Sequence, residues 1–171
     1  SEPRTERHVR DDIAARPPIS RALAMAMLGA SLALVLAITM RTPLKDDVAW
    51  LIYVARKWMG GQQLYVELVE VNPPLIIWLS AIPAQLGSWM GLSGRIVAMP
   101  FFAALILAAS WWAAGLLRGL GPLYQDRATV FAAIGTILLL IAGNELGQRE
   151  HLLVAAALPY LCVITLSLNG Q

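Results

Sequence analysis

Acidic residues lie at the edges of the long apolar segments of this sequence. They form three groups, Asp46-Asp47, Glu67 with Glu70, and Glu145 with Glu150. A carboxylate can act as a general base or bind a cation, and an ionisable group near membrane depth is costly to keep there. Each group is therefore a candidate functional site.

Each acidic group also has a purely structural explanation. Asp46 or Asp47 can cap the helix that it begins, because the carboxylate accepts backbone N–H bonds and complements the helix dipole. Glu67 and Glu70 can be solvated loop residues. The last group can mark the hydrated start of a membrane span, with His151 as an interfacial side chain and not a ligand. The residue types alone do not separate the two explanations.

The elements that must position these residues are long uncharged segments. Only 14% of the 171 residues are charged, whereas about a quarter are charged in a soluble domain. A helix needs roughly 20 apolar residues to cross the hydrocarbon core with its backbone groups paired. The predicted spans are residues 22–40, 96–117, 128–144 and 152–168. The sequence therefore predicts an all-α, polytopic membrane protein with four to five transmembrane helices.

Residues 1–21 are predicted to form a disordered cytoplasmic tail, followed by a transmembrane module over 22–171. The tail holds five arginines, four acidic residues and the pair Pro17-Pro18. Positive charge before a first span keeps the N-terminus in the cytoplasm. The expected localisation is the bacterial inner (cytoplasmic) membrane, with a multi-pass topology. The net charge of +2 does not suggest nucleic acid as a partner. The lone Cys162 is predicted to be a small buried hydrophobe.

Residues 41–73 are predicted to form an extracytoplasmic loop that contains a juxtamembrane helix. Apolar residues recur at helical spacing between Asp46 and Met59, which is typical of an amphipathic helix. The positions are Val48, Leu51, Ile52, Ala55 and Met59. Two tryptophans in the same segment suit the headgroup zone of a membrane. Gly60-Gly61 is expected to end this helix, and Pro73-Pro74 to open the next one.

A fifth apolar segment, residues 74–93, is uncharged but contains proline and polar residues. The charges of the neighbouring loops indicate whether this segment crosses the membrane. If this segment crosses fully, Arg95 is cytoplasmic and the two arginines at 118 and 127 lie outside. If it only dips into the outer face, those two arginines are cytoplasmic. The positive-inside rule favours the second arrangement. We therefore expect four full crossings plus a re-entrant or interfacial helix.

A series of short motifs in and after the first loop resembles a known family. The series is Asp46-Asp47-Val48-Ala49-Trp50 continuing to Ala55, Gly60-Gly61, Leu64-Tyr65, Glu70-Val71-Asn72-Pro73-Pro74-Leu75 and Trp78-Leu79. It resembles the first extracytoplasmic loop of polyprenyl-phosphate-sugar-dependent glycosyltransferases with the GT-C fold, especially those related to protein O-mannosyltransferases and the lipid A aminoarabinose transferase. The later run Gln148-Arg149-Glu150-His151 resembles the family motif that opens a later span.

The resemblance implies transfer of a hexosyl or pentosyl group from a polyprenyl-phosphate sugar to an acceptor on the extracytoplasmic face. It implies Asp46 as the general base and Glu150 as a second catalytic acidic residue. The implied carrier-binding residues are Asp47, Glu70, Arg149 and His151. Glu70 is also the implied ligand of a divalent metal ion, where such an enzyme uses one. No other cofactor is implied.

Two features depart from the family pattern. Asn72 stands where the family commonly has a lysine or another polar residue before Pro-Pro, and the sequence ends at Gln171 whereas family members continue through further spans. We therefore expect an N-terminal portion of such an enzyme, with the rest of the chain or a membrane subunit as its partner. The alternative is a non-enzymatic polytopic scaffold or subunit whose loop helix binds another protein.

Overall fold

A computed structural model describes residues 20–43 and 46–168 of the chain. Within these residues the structure is helical, apart from a turn-rich loop with one isolated β-bridge between Leu64 and Leu68. Short 3₁₀ turns cover Arg118–Leu120, Pro122–Tyr124 and Gly143–Glu145. The α-helices are α1 (Arg21–Arg41), α2 (Asp46–Met59), α3 (Pro74–Met90), α4 (Gly94–Leu117), α5 (Arg127–Ala142) and α6 (Arg149–Leu168).

Four of the helical segments are long and apolar enough to cross a membrane. They are Arg21–Arg41, Gly94–Leu120, Arg127–Glu145 and Arg149–Leu168. Each contains or closely overlaps a predicted span, which confirms the all-α polytopic fold class. The predicted N-terminal tail, residues 1–21, falls almost entirely outside the described residues.

Helix α4 is the centre of the bundle, and α1, α5 and α6 pack around it. Phe102, Met99 and Ile106 of α4 are almost fully buried in the largest apolar core. Small residues let the helices approach closely, as is common between membrane helices. A Cβ added to Gly135 of α5 would lie 2.9 Å from Leu28 of α1. Cys162 of α6 is buried, as predicted.

An arginine at the start of α4 holds the end of α1. Arg95 Nε donates a hydrogen bond of 3.0 Å to the carbonyl oxygen of Thr39, and its Nη2 donates to the carbonyls of Thr39 and Thr42. The last carbonyls of a helix have no partner within it, so a cation is favourable there. The end of α1 and the start of α4 therefore lie together.

The predicted amphipathic helix is present as α2. Val48, Leu51, Ile52 and Ala55 are buried, as predicted, whereas Met59 at the last position is exposed. The helix ends before the two glycines, the second of which has φ +96°, a conformation that favours glycine. Helix α2 packs mainly on α3, and through its buried face it also reaches the main core.

Helix α3 has both ends on the same side of the bundle. It begins beside the first turn of α6, because Arg149 Nη1 donates to Asn72 Oδ1 over 2.6 Å. It ends at Met90, shortly before α4 begins. Helices α4 and α6 start on one side, since α5 runs back between them. At about 26 Å, α3 is also shorter than the hydrocarbon core. This placement favours the expected four crossings.

The topology can be tested by labelling engineered cysteines in intact cells, in a background with Cys162→Ser. We expect Gln62→Cys and Gln148→Cys to react with an impermeant thiol reagent, because both positions lie on the side where α2 sits. We expect Gly121→Cys, in the loop between α4 and α5, to be protected. Labelling at Gly121 with protection at Gln148 would instead indicate that α3 crosses the membrane.

Candidate functional site

Glu70 is the best-coordinated acidic side chain of the first loop. Its Oε1 accepts hydrogen bonds from the backbone N–H groups of Val71 and Asn72, both at 2.8 Å, and from Asn72 Nδ2 at 2.7 Å. Its Oε2 accepts from Trp50 Nε1 at 2.7 Å. Only 8% of the residue is exposed. Glu70 therefore ties the loop before α3 to the outer surface of α2.

These hydrogen bonds set the charge state of Glu70. Burial raises the pKa of this carboxyl, but the hydrogen bonds from Asn72, Trp50 and Val71 outweigh burial and hold the pKa below its ordinary value. The carboxylate thus faces hydrogen-bond donors on both oxygens.

Among the described residues, no group of three or more His, Cys, Asp or Glu side chains could hold a metal ion. A metal-binding role for Glu70 stays a prediction and is not favoured by these contacts.

Asn72 connects Glu70 to the start of α6. Its amide nitrogen donates to Glu70, and its Oδ1 accepts from Arg149 Nη1 at 2.6 Å. Arg149 Nε in turn donates to Glu150 Oε1 at 2.6 Å. A continuous hydrogen-bonded chain therefore runs from the indole of Trp50 to the carboxylate of Glu150. It joins α2, the loop and α6.

A small polar cavity of about 110 Å³ lies at this junction. It is lined by Asp47, Leu51, Val71, Asn72, Arg149 and Glu150. Three of the predicted site residues, Asp47, Arg149 and Glu150, thus meet in one place. Asp46 begins α2 one residue earlier, but its side chain lies outside the described part of the structure. Its predicted role as the base stays a prediction.

An apolar groove of about 310 Å³ continues from the same two α6 residues. Arg149 and Glu150 stand at its polar end, and the rest of its lining comes from the facing sides of α3 and α6. The other lining residues are Pro73, Leu75, Ile76, Leu79, Leu152, Leu153 and Ala156. The polar cavity and the apolar groove therefore share two charged lining residues, Arg149 and Glu150.

His151 lies apart from this cavity. Its Nε2 is 2.7 Å from the carbonyl oxygen of Leu138 in α5, and its Nδ1 is buried without a hydrogen-bond partner. The predicted phosphate contact of His151 stays a prediction. Glu67 also lies elsewhere, since its Oε2 accepts from the backbone of Gln63 at 2.8 Å.

Sequence reasoning missed Asn72 and Tyr65 as parts of the site. The Tyr65 hydroxyl donates to the backbone carbonyl of Asn72 at 2.6 Å, and Tyr65 has φ +66°, unusual for a residue other than glycine. Both residues stood in the quoted motifs. Their partners, however, come from tertiary contacts that periodicity does not reveal.

The charge of Glu70 gives an expected pH dependence of stability. Because its folded-state pKa is lowered, Glu70 stabilises the fold above its ordinary pKa of about 4.5, and this contribution is lost as pH falls through the folded-state value. We expect the thermal midpoint of the wild type to fall more than that of Glu70→Gln between about pH 5 and pH 3. The exposed Glu67→Gln variant should retain the wild-type dependence. Identical profiles for wild type and Glu70→Gln would contradict this role.

Comparison of the chain with protein-family models, with curated proteins and with solved structures found no match.

Proposed function

We propose that this chain is the N-terminal portion of a membrane glycosyltransferase that moves a sugar from a polyprenyl-phosphate carrier to an acceptor on the extracytoplasmic face. The observation that carries the proposal is the junction at Arg149. There, a polar cavity lined by two acidic residues and an arginine adjoins an apolar groove between two helices. A lipid-linked sugar phosphate has the same order of chemical groups.

Arg149 is the residue proposed to bind the carrier phosphate. A guanidinium offers a planar set of donors that matches a phosphate, and it stays charged at any physiological pH. Nη1 and Nε are engaged by Asn72 and Glu150, which fix the plane of the guanidinium. Nη2 makes no hydrogen bond with another described residue. The isoprenoid chain would then lie in the groove, where burial of apolar surface favours it.

The chemical step follows from the acidic residues at the start of α2. The acceptor oxygen attacks the anomeric carbon of the sugar, the bond from that carbon to the phosphate oxygen breaks, and polyprenyl phosphate leaves. The acceptor proton passes to a carboxylate, proposed to be that of Asp46. Asp47 and Glu150 line the cavity and would orient the sugar or the acceptor.

Binding of the carrier tests this proposal without requiring turnover. We expect Arg149→Gln to weaken binding of fluorescent polyprenyl phosphate to the detergent-solubilised protein by about ten-fold or more, since a charge-assisted contact is lost. Arg118→Gln is the matched control, because Arg118 is an exposed arginine beyond the far end of α4. It should bind like the wild type.

The opposite result has a clear meaning. Equal binding by wild type, Arg149→Gln and Arg118→Gln, or no binding at all, would remove the support for a carrier site. A membrane scaffold whose loop helix binds another protein would then be the better explanation.

A further inference from the structure

A second polar cavity lies between α2 and α3, away from the Arg149 junction. Its volume is about 490 Å³, and it is lined by Arg56, Met59, Gly60, Ala84, Gln85 and Ser88. Arg56 is about 13 Å of helix away from Asp47. The two cavities share no lining residue. This cavity is therefore a separate feature of the molecule.

The side chain of Arg56 is exposed, and its guanidinium lies beside the start of α4 with unused donors. It rests against the backbone of α4, where a Cβ added to Gly94 would lie 2.9 Å from Arg56 Nη2. Among the described residues, the side chain of Arg56 has no hydrogen-bond or ion-pair partner. The neighbouring Arg95, in contrast, is fully engaged with the end of α1. An exposed guanidinium without a protein partner is available to bind an anion.

Two polar side chains of α3 face the same cavity with their donors unused. Other serines inside the described helices give their hydroxyl proton to a carbonyl one turn earlier, namely Ser31, Ser80, Ser110 and Ser167. Ser88 makes no such bond, and the amide of Gln85 has no hydrogen-bond partner in the described part of the chain. An anion in the cavity could thus receive hydrogen bonds from both helices.

An apolar groove adjoins the cavity along the outer face of α3. It measures about 330 Å³, and it is lined by Ala81, Ile82, Gln85, Leu86 and Trp89. Gln85 lines both the cavity and the groove, so the two adjoin. Trp89 is 75% exposed at the end of α3, a position that suits the boundary between headgroups and acyl chains.

We propose that this composite site binds an anionic phospholipid, with its headgroup phosphate at Arg56, Gln85 and Ser88 and one acyl chain along the groove. A free phosphate would use only the polar cavity. The adjoining apolar groove is the reason for assigning a lipid. The site would fix α2 and α3 against the leaflet on their side of the bundle. It does not depend on the proposed transferase activity.

Thermal unfolding in detergent, followed by tryptophan fluorescence, tests the site. Dioleoyl phosphatidylglycerol should raise the midpoint of the wild type more than dioleoyl phosphatidylcholine does, and inorganic phosphate should have little effect. Arg56→Gln should need about ten-fold more phosphatidylglycerol for the same shift, because a charge-assisted contact is lost. Lys57→Gln is the matched control, because it removes the same charge from the next position. Lys57 lies over the ring of Tyr53 and does not line the cavity.

A second variant guards against a general loss of stability in Arg56→Gln. Gln85→Glu keeps the size of the side chain and adds a negative charge that repels the headgroup. It should weaken the response to phosphatidylglycerol more than the response to phosphatidylcholine. Equal responses to both lipids, or equal losses in the Arg56 and Lys57 variants, would overturn the proposal. An equal response to inorganic phosphate would overturn the assignment to a lipid.

Discussion

Asp46→Asn is expected to reduce sugar transfer by about 10²-fold or more, which is the usual scale for the loss of a general base. Asparagine caps a helix about as well as aspartate does, so the start of α2 should be preserved. The amount of protein in the membrane should change little. The measurement is transfer from a polyprenyl-phosphate sugar in membranes that contain the protein.

Asp47→Asn is the matched variant for this prediction. Asp47 is adjacent in sequence, but neighbouring helix positions point in directions about 100° apart. Its carboxylate lines the cavity next to Arg149, and its replacement should reduce transfer less than Asp46→Asn does. Equal and mild effects of both variants would mean that Asp46 only caps the helix. A larger loss for Asp47→Asn would contradict the assignment of the base to Asp46.

The fold could be predicted from hydropathy because membrane solvation acts on each segment separately. A run of apolar residues has to pair its own backbone groups, so the ends of α1, α4 and α5 fall close to the ends of the uncharged runs. The start of α3 could also be predicted from the sequence, because Pro73 fits the N-cap and Pro74 fits the first helical position. Local chemistry was sufficient for these elements.

The candidate site could be predicted only in part. Asp47, Arg149 and Glu150 were named from the sequence and meet at one cavity. The hydrogen bond between Arg149 and Asn72, however, joins residues 77 positions apart, and no local pattern records such a pairing. Glu70 was expected to bind a phosphate or a metal ion, yet its hydrogen-bond partners are an indole, two backbone amides and the side-chain amide of Asn72. The orientation of the Glu70 side chain depends on the packing of α2 against the loop, which the local sequence does not reveal.

The turn before α6 shows how the backbone supports the candidate site. Gly147 has φ +94°, and a Cβ added there would lie 2.5 Å from Cδ2 of the fully buried Phe102. The positive φ turns the chain two residues before Arg149, close to the ring of Phe102. After this turn, the guanidinium of Arg149 reaches Asn72. Glycine is the only residue that meets both requirements without strain.

Gly147→Ala is therefore expected to destabilise the protein by about 2–4 kcal/mol, from the strained φ together with the overpacking against Phe102. The thermal midpoint of the detergent-solubilised protein should fall on the order of 10 °C. Gly29→Ala in α1 is the control, because nothing lies within 4 Å of the added Cβ and alanine suits a helix better than glycine. Its midpoint should be unchanged or slightly higher.

A double variant separates the two causes of this loss. Phe102→Leu removes ring atoms from the place that the new Cβ would occupy, so it should restore part of the stability of Gly147→Ala, although it costs some stability in the wild-type background. The part that is not restored measures the strain of a positive φ. A Gly147→Ala midpoint equal to that of Gly29→Ala would mean that the turn adapts freely. The precise setting of Arg149 would then not depend on this glycine.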